Sequence, residues 1–191
     1  MSNDRSVTVE DHIFDSEDLL VLRDLAQTSR ATRKLKSYRV ISLGKKHTQN
    51  PAFLRVLRKA QEVMPSDAVY REGWFIVYDA KCEGVPLHAD RGYMTMNTWL
   101  TPDECMMPHA NGLVVWNKSV PDDWKFHQYN NTMHNENLER LIDDADCIKI
   151  EHAFNRSTVF KSKLLHRTDR VHTLPGIRNR RVNLTLMFDK K

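Results

Sequence analysis

A chain of 191 residues in which 40% are hydrophobic and 28% are charged has the composition of one folded domain, which excludes an intrinsically disordered protein. No segment approaches the roughly 18 apolar residues of a membrane span, and the polar N-terminus lacks the apolar core of a signal peptide, so we expect a cytoplasmic protein that does not associate with membranes. The net charge of +4 permits nucleic-acid binding without favouring it, and it equally suits an anionic small substrate.

Two amphipathic helices are predicted in the first 70 residues. In the first helix, apolar residues fall largely on one face after Ser16, which is a plausible N-cap. In the second helix, Pro51 suits the first turn, and Pro65 ends a segment whose apolar residues recur at helical spacing. We therefore expect residues 1–70 to form a helical support for the rest of the chain.

From about residue 72 the sequence changes to short runs rich in Val, Ile, Thr and aromatic residues, which are typical of β-strands. The predicted strands are Trp74–Tyr78, Met94–Leu100, Leu113–Trp116, Cys147–Ile150, Thr158–Phe160 and Arg181–Phe188. A helical insertion is predicted at about residues 122–144. Helices followed by many short strands predict an α+β fold: a double-stranded β-helix (a jelly-roll or cupin-like core) with the N-terminal helices packed on one sheet. The sequence contains no repeat and no linker, so we expect a single domain over residues 1–191, with its core at 72–188.

The segment Val85-Pro-Leu-His88-Ala-Asp90 carries the first candidate site. On an extended backbone, residues two apart point to the same side, so an imidazole nitrogen and a carboxylate oxygen can reach one point. They are two of the three ligands of a 2-His-1-carboxylate facial triad, the arrangement that leaves open positions on non-haem Fe(II). An HxD pair alone is a weak signal, so a third ligand is needed.

His166 and the last predicted strand supply the remaining candidates. The Leu-Leu context before His166 fits a buried ligand. The last strand alternates, and the residues expected to face the interior of the barrel are Arg181, Asn183, Thr185 and Met187. A buried arginine is costly unless a carboxylate meets it, and a bound dicarboxylate would do so through a bidentate pair. A register slip of one residue would present Arg180 instead.

The order of HxD, a distant histidine and a basic residue on the last strand resembles the Fe(II)/2-oxoglutarate-dependent dioxygenase superfamily, in particular its prolyl-hydroxylase-like and phytanoyl-type members. The resemblance covers about residues 72–188. Tyr78 stands ten residues before His88 and resembles the tyrosine with which many prolyl-hydroxylase-like members contact the cosubstrate. The run Met94–Leu100 resembles the next core strand. Its inward-facing residues are expected to be Thr95, Asn97 and Trp99.

This resemblance implies the use of Fe(II), O2 and 2-oxoglutarate as cosubstrate. The residues that would hold the iron, and so act as the catalytic centre, are His88, Asp90 and His166. The residues that would bind 2-oxoglutarate are Arg181, Tyr78, Asn97 and Thr95. The implied reaction hydroxylates an aliphatic C–H bond of a small molecule or an amino-acid side chain and releases succinate and CO2.

Two other functions remain open at this stage. Arg181-Val-Asn-Leu-Thr185 resembles the RxNxT run of the AlkB-like demethylases, which act on nucleic acids or proteins, but Met187 stands where those enzymes have a second arginine. A non-enzymatic, cupin-like ligand-binding domain is the other alternative, although a pure binder has no need for three metal ligands. His172 is a competing third ligand. The insertion is expected to form a substrate lid, and neither the substrate nor the oligomeric state follows from the sequence.

Overall fold

The computed structural model describes residues 7–108, 112–130 and 135–191, and these residues form strands and helices in nearly the predicted order. The strands are β1 (Val7–Asp11), β2 (Arg33–Lys34), β3 (Tyr38–Ser42), β4 (Ala68–Tyr78), β5 (Lys81–Cys82), β6 (Met94–Trp99), β7 (Leu113–Ser119), β8 (Cys147–Ile150), β9 (Arg156–Lys161), β10 (Leu164–Thr168), β11 (Val171–His172) and β12 (Val182–Lys190). The helices are α1 (Ser16–Thr28), α2 (Lys45–Thr48), α3 (Pro51–Val63), α4 (Phe126–Tyr129) and α5 (Glu136–Ile142).

Two antiparallel sheets provide the frame of the site. The larger sheet has the order β1-β9-β6-β12-β4-β3-β2, and the smaller sheet has the order β10-β7-β8. From β1 to β4 in the larger sheet, strands that are neighbours in space are separated along the chain, as in a jelly roll. The side chains that fill the space between the sheets at one end include Trp99, Leu113 and Phe160, which are all buried. The predicted α+β jelly-roll fold is confirmed.

Helices α1 and α3 pack on the outer face of the larger sheet, as predicted. The even-numbered residues of β12, from Val182 to Phe188, are buried in one apolar cluster with Leu19, Leu22 and Phe53 of the helices. Period-two alternation along β12 puts one face of the strand against the helices and the other face towards the smaller sheet. The last strand therefore fixes which residues face the space between the sheets.

The N-terminal segment differs from the prediction in two respects. It contributes strands as well as helices: β1 pairs with β9, and β3 pairs with β4. The N-cap of α1 is Asp15 rather than Ser16, because the Asp15 carboxylate accepts hydrogen bonds from the backbone N–H groups of Glu17 and Asp18. The prediction for α3 is confirmed, with Asn50 as the N-cap and Pro51 in the first turn.

The predicted insertion contains helices α4 and α5, which lie against the smaller sheet. Tyr129 and Leu138 are buried in an apolar cluster with Trp116 of β7 and Leu165 of β10. Residues 131–134 of the insertion lie outside the described residues. Among the residues that the structure describes, no helix combines the length and the apolar character of a membrane span.

Candidate metal centre

His88, Asp90 and His166 come together because the strand-like segment around His88 pairs with β10. The backbone N–H of His88 donates to the carbonyl of His166 at 3.0 Å, and the N–H of His166 donates to the carbonyl of His88 at 2.8 Å. This reciprocal bridge places the two imidazole rings side by side, with centroids 4.2 Å apart. Asp90, two residues further along, points to the same side as His88. In the described part of the chain, these three side chains form a group that could hold a metal ion, and their ligand atoms lie within 4.8 Å of one another.

Backbone carbonyls orient both imidazoles. His88 Nδ1 lies 2.7 Å from the carbonyl oxygen of Pro86, and His166 Nδ1 lies 2.9 Å from that of Leu164. Because a carbonyl only accepts, each Nδ1 carries the proton and each Nε2 presents a lone pair. The two Nε2 atoms face Asp90, at 3.8 Å from Oδ1 for His88 and 3.6 Å from Oδ2 for His166. A fixed tautomer with Nε2 free to ligate is the usual arrangement of metal-binding histidines.

The electrostatics of this cluster suit a cation. Burial, reinforced by the neighbouring His88 and opposed by Asp90, lowers the pKa of His166 to about 4. His166 is therefore neutral at pH 7, which is the protonation state that a metal ligand requires. Its ring also packs edge-on against Phe160, with centroids 4.8 Å apart. Two neutral nitrogen ligands and one carboxylate match the donor set of a non-haem Fe(II) site.

Asp90 is held by its own contacts. Its backbone N–H donates to the carbonyl of Ser162 at 2.8 Å. The hydroxyl of Thr95, which was predicted to contact the cosubstrate, lies 3.2 Å from Asp90 Oδ2 and 3.0 Å from the Ser162 hydroxyl. Thr95 therefore helps to orient the carboxylate of Asp90, which is a role that the sequence did not suggest.

The three candidate ligands line a cavity between the two sheets. Its polar lining comes from residues of β4, β6, β10 and β12: Tyr78, Thr95, Asn97, Thr168, Asn183 and Thr185. Inside the cavity, the Tyr78 hydroxyl lies 3.1 Å from the Thr168 hydroxyl, and the Thr185 hydroxyl donates to Asn97 Oδ1 at 3.4 Å. The predicted cosubstrate residues Tyr78, Asn97 and Thr95 thus lie around one space with the triad.

Arg181 lies behind the cavity lining and is fully buried. Its Nε donates to Asn183 Oδ1 at 3.1 Å, and its guanidinium carbon lies 5.0 Å from the centre of the Tyr78 ring and 5.6 Å from that of the Trp99 ring. Burial lowers the pKa of Arg181 to about 10, so the side chain is still a cation at pH 7. A buried cation beside a polar cavity attracts an anionic ligand.

The neighbouring Arg180 points elsewhere. Its guanidinium pairs with Asp79 at 3.3 Å, and its side chain is one-third exposed. The alternation that selected Arg181 as the inward residue therefore describes the strand correctly.

Three polar residues that line the cavity, Thr168, Asn183 and Thr185, were not among the predicted site residues. Alternation along the last strand had placed Asn183 and Thr185 on its inward face, and Thr168, two residues after His166, could have been identified in the same way. Gly84 has a φ of 81° and lies so close to Thr168 that an added Cβ would come within 2.8 Å of its side chain. The absence of a side chain at Gly84 therefore keeps Thr168 in place.

None of the other histidines that the structure describes joins the triad. His172 lies in β11, where it pairs with Lys81 of β5, so it is not the third ligand. His127 is exposed on α4. His109 and His134 lie outside the described residues. His152 is buried beside Trp99, and its Nε2 donates to the carbonyl of Thr101 at 3.0 Å.

His152 should make the stability of the protein sensitive to acid. Burial, reinforced by the nearby cation Arg181, lowers its pKa to about 3, whereas an unfolded chain has a histidine pKa of about 6.5. As the pH falls from about 6.5 to about 3, the unfolded chain therefore gains a proton that the folded protein does not bind. The unfolding free energy should fall by up to about 1.4 kcal/mol per pH unit. Urea denaturation at several pH values measures this slope; we expect it to be shallower in His152→Gln, and equal slopes would contradict the assignment.

No protein-family model matches this chain, and a comparison by sequence with curated proteins finds no match. Solved structures match it by fold. HygX from Streptomyces hygroscopicus, solved with nickel and 2-oxoglutarate bound, has 14% identity and a TM-score of 0.63, with 97% of this chain and 83% of that chain covered. A prolyl hydroxylase from Trichoplax adhaerens, in complex with a hypoxia-inducible-factor peptide, has 13% identity and a TM-score of 0.62, with 98% and 85% covered.

A third solved structure, SnoN, is a non-haem α-ketoglutarate-dependent epimerase from nogalamycin biosynthesis. It has 9% identity to this chain and a TM-score of 0.66, with 97% of this chain and 78% of that chain covered. At these identities the likeness is one of fold. It extends over nearly the whole of this chain.

Proposed function

We propose that this chain, which has the fold of the 2-oxoglutarate- and Fe(II)-dependent oxygenases, is itself such an oxygenase. The observation that carries the proposal is the convergence of His88, Asp90 and His166 in the lining of one cavity, with the buried cation Arg181 next to Tyr78 of that lining. A buried cation beside the cavity would attract an anionic cosubstrate.

The residues have distinct roles in this proposal. His88 Nε2, His166 Nε2 and Asp90 hold Fe(II), which supplies the activation of O2 when it is bound. Arg181 attracts the distal carboxylate of 2-oxoglutarate, with Asn183 fixing the guanidinium through the Nε contact. In this proposal the hydroxyls of Tyr78 and Thr168, and the amide of Asn97, which all line the cavity, would bind the polar groups of the cosubstrate.

We propose hydroxylation as the reaction. In balanced form, R–H, 2-oxoglutarate and O2 give R–OH, succinate and CO2, with an aliphatic C–H bond of a small molecule or an amino-acid side chain as R–H. Proteins of similar fold have been solved with both kinds of molecule bound: HygX with hygromycin B, and the Trichoplax prolyl hydroxylase with a peptide. SnoN is an epimerase, so the product analysis must include stereoisomers as well as alcohols.

The demethylase alternative is less well supported. Met187 stands where the AlkB-like enzymes have their second arginine, and its Sδ lies 3.3 Å from the Thr95 hydroxyl in the interior of the barrel. A thioether is at best a weak acceptor and cannot form the charge-assisted contact of an arginine.

The proposal is tested with the purified chain under anaerobic conditions. Fe(II) is added and 2-oxoglutarate is titrated while the weak visible charge-transfer band is followed; succinate is measured after O2 enters. We expect one Fe(II) per chain, a saturable band and succinate formation even without a prime substrate. If Fe(II) does not bind, or if 2-oxoglutarate produces no band, the proposed function is wrong.

A further inference from the structure

The backbone of the ligand segment His88–Asp90 has two edges, and the insertion covers one of them. On the first edge, His88 pairs with His166 and Asp90 donates to Ser162. On the opposite edge, the N–H of Ala89, the residue between the two ligands, donates to the carbonyl of Tyr129 at 3.1 Å. The carbonyl of Ala89 accepts a hydrogen bond from Asn130 Nδ2 at 2.9 Å.

The side chains show the same division. His88 and Asp90 face the candidate metal centre, whereas Leu87 and Ala89 face the insertion and are buried in one cluster with Tyr129. The guanidinium of Arg91, which follows Asp90 in the chain, lies 4.4 Å above the ring of Phe126. Along this short segment, successive residues thus alternate between facing the metal site and facing the insertion.

A second contact ties the insertion to the turn between β9 and β10. The Lys163 ammonium group donates to the Tyr129 hydroxyl at 2.8 Å and lies 4.2 Å from the centre of its ring. Lys163 follows Ser162, whose carbonyl accepts from the backbone N–H of Asp90. The C-terminal end of α4 is therefore connected to Asp90 in two ways: through Ala89, which precedes Asp90 in the chain, and through Lys163, which follows the hydrogen-bond partner of Asp90.

We propose that the end of α4, and Asn130 in particular, positions the metal ligands His88 and Asp90. This inference rests on the proposed function, because it assumes that the triad binds a metal. Tyr129 accepts from the backbone N–H of Ala89, and Asn130 donates to its carbonyl. These two bonds fix the orientation of the backbone from which the two ligand side chains project. Asn130 is thus a positioning residue, which acts on the metal through Ala89.

This role differs from that of a simple lid. A lid over a self-sufficient metal site could be altered without changing the affinity for the metal, and 2-oxoglutarate would still be turned over without the substrate. In our proposal the metal site is incomplete without the end of α4. A change there should therefore weaken the binding of the metal itself, and not only the binding of the substrate.

The test measures Co(II) binding, with Co(II) alone as the probe, in the full chain and in Asn130→Ala. Loss of groups that orient metal ligands weakens metal binding by about 10–100-fold, so we expect the dissociation constant to rise by at least about 10-fold. The thermal midpoint of the metal-free protein should change little, because Asn130 is only partly buried. Asn130→Leu keeps the shape of the side chain without the donor and should behave in the same way.

Asn135→Ala is the matched control. Asn135 also donates its amide to a backbone carbonyl within the insertion, that of Gln128 at 2.8 Å, but it does not touch the ligand segment. We expect this variant to bind Co(II) as the parent chain does.

The outcomes separate the two proposals. If the parent chain binds Co(II) and both Asn130 variants bind it equally well, the positioning role is wrong and the proposed function stands. If affinity and the metal-free midpoint fall together in the Asn130 variants and in Asn135→Ala, the contact is general structural support, and the inference is again overturned. If the parent chain binds no Co(II), both proposals fail.

Discussion

Each of the substitutions His88→Ala, Asp90→Ala and His166→Ala is expected to abolish succinate formation and to weaken Fe(II) binding by more than about 100-fold, since even the loss of a group that only orients a ligand costs 10–100-fold. The reason is geometric: the donors face one another on one side of the His88–His166 bridge. Removal of one donor leaves only two protein ligands. The measurements are anaerobic Fe(II) titration and succinate analysis after the addition of O2.

The matched control is His172→Ala. His172 was the competing candidate for the third ligand, and it lies in the two-stranded β5–β11 sheet, outside the triad. We expect this variant to bind Fe(II) and to form succinate at the rate of the parent chain. If His172→Ala were inactive and His166→Ala active, the assignment of the third ligand would be wrong.

The triad and the last strand could be predicted because each depends on a local pattern. The spacing of His88 and Asp90 puts both side chains on one side of any extended backbone, whatever the rest of the fold does. In β12, period-two alternation over Val182–Phe188 identified the faces correctly, and the structure places Val182 against the helices and Asn183 at the cavity. A strong period survives folding because a slip of one residue would bury the polar face.

The features that escaped prediction depend on contacts between distant residues, except for the N-cap of α1. Strand β1 is only five residues long and pairs with β9 at the edge of the large sheet, so its own sequence gives a short strand signal. Asp15 and Ser16 are both good N-caps, and the geometry of the first turn selects Asp15. The bonds from Tyr129 and Asn130 reach the backbone of Ala89, about 40 positions away, and backbone groups leave no trace in the side-chain pattern.

The proposal that 2-oxoglutarate binds in the cavity depends on a few residues outside the triad. The three candidate ligands line the cavity together with Tyr78 and Thr168. The Tyr78 hydroxyl lies beside that of Thr168, and the Tyr78 ring lies beside the Arg181 guanidinium. A dicarboxylate suits these groups, since one carboxylate could reach a metal at the triad and the other the cation. A ligand with a single carboxylate would use only one of the two.

The substitution Arg181→Met is therefore expected to weaken 2-oxoglutarate binding on the order of 100-fold, while Fe(II) still binds. A bidentate, charge-assisted pair comprises two hydrogen bonds of at least about 1.5 kcal/mol each, and about 1.4 kcal/mol corresponds to a tenfold change in affinity. Methionine keeps much of the apolar volume against Tyr78 and Trp99 and removes a buried charge, so the metal-free variant should remain folded. Titration of the charge-transfer band measures the change.

Arg180→Met separates this effect from a general loss of positive charge. Arg180 stands one residue earlier and pairs with Asp79 near the surface, where an ion pair contributes about 0–1 kcal/mol. We expect its 2-oxoglutarate affinity to stay within about twofold of the parent chain, because its side chain faces away from the cavity. If Arg180→Met lost the cosubstrate and Arg181→Met kept it, the guanidinium beside Tyr78 would have a purely structural role. The anion would then have to bind from the opposite face of β12, which the helices cover.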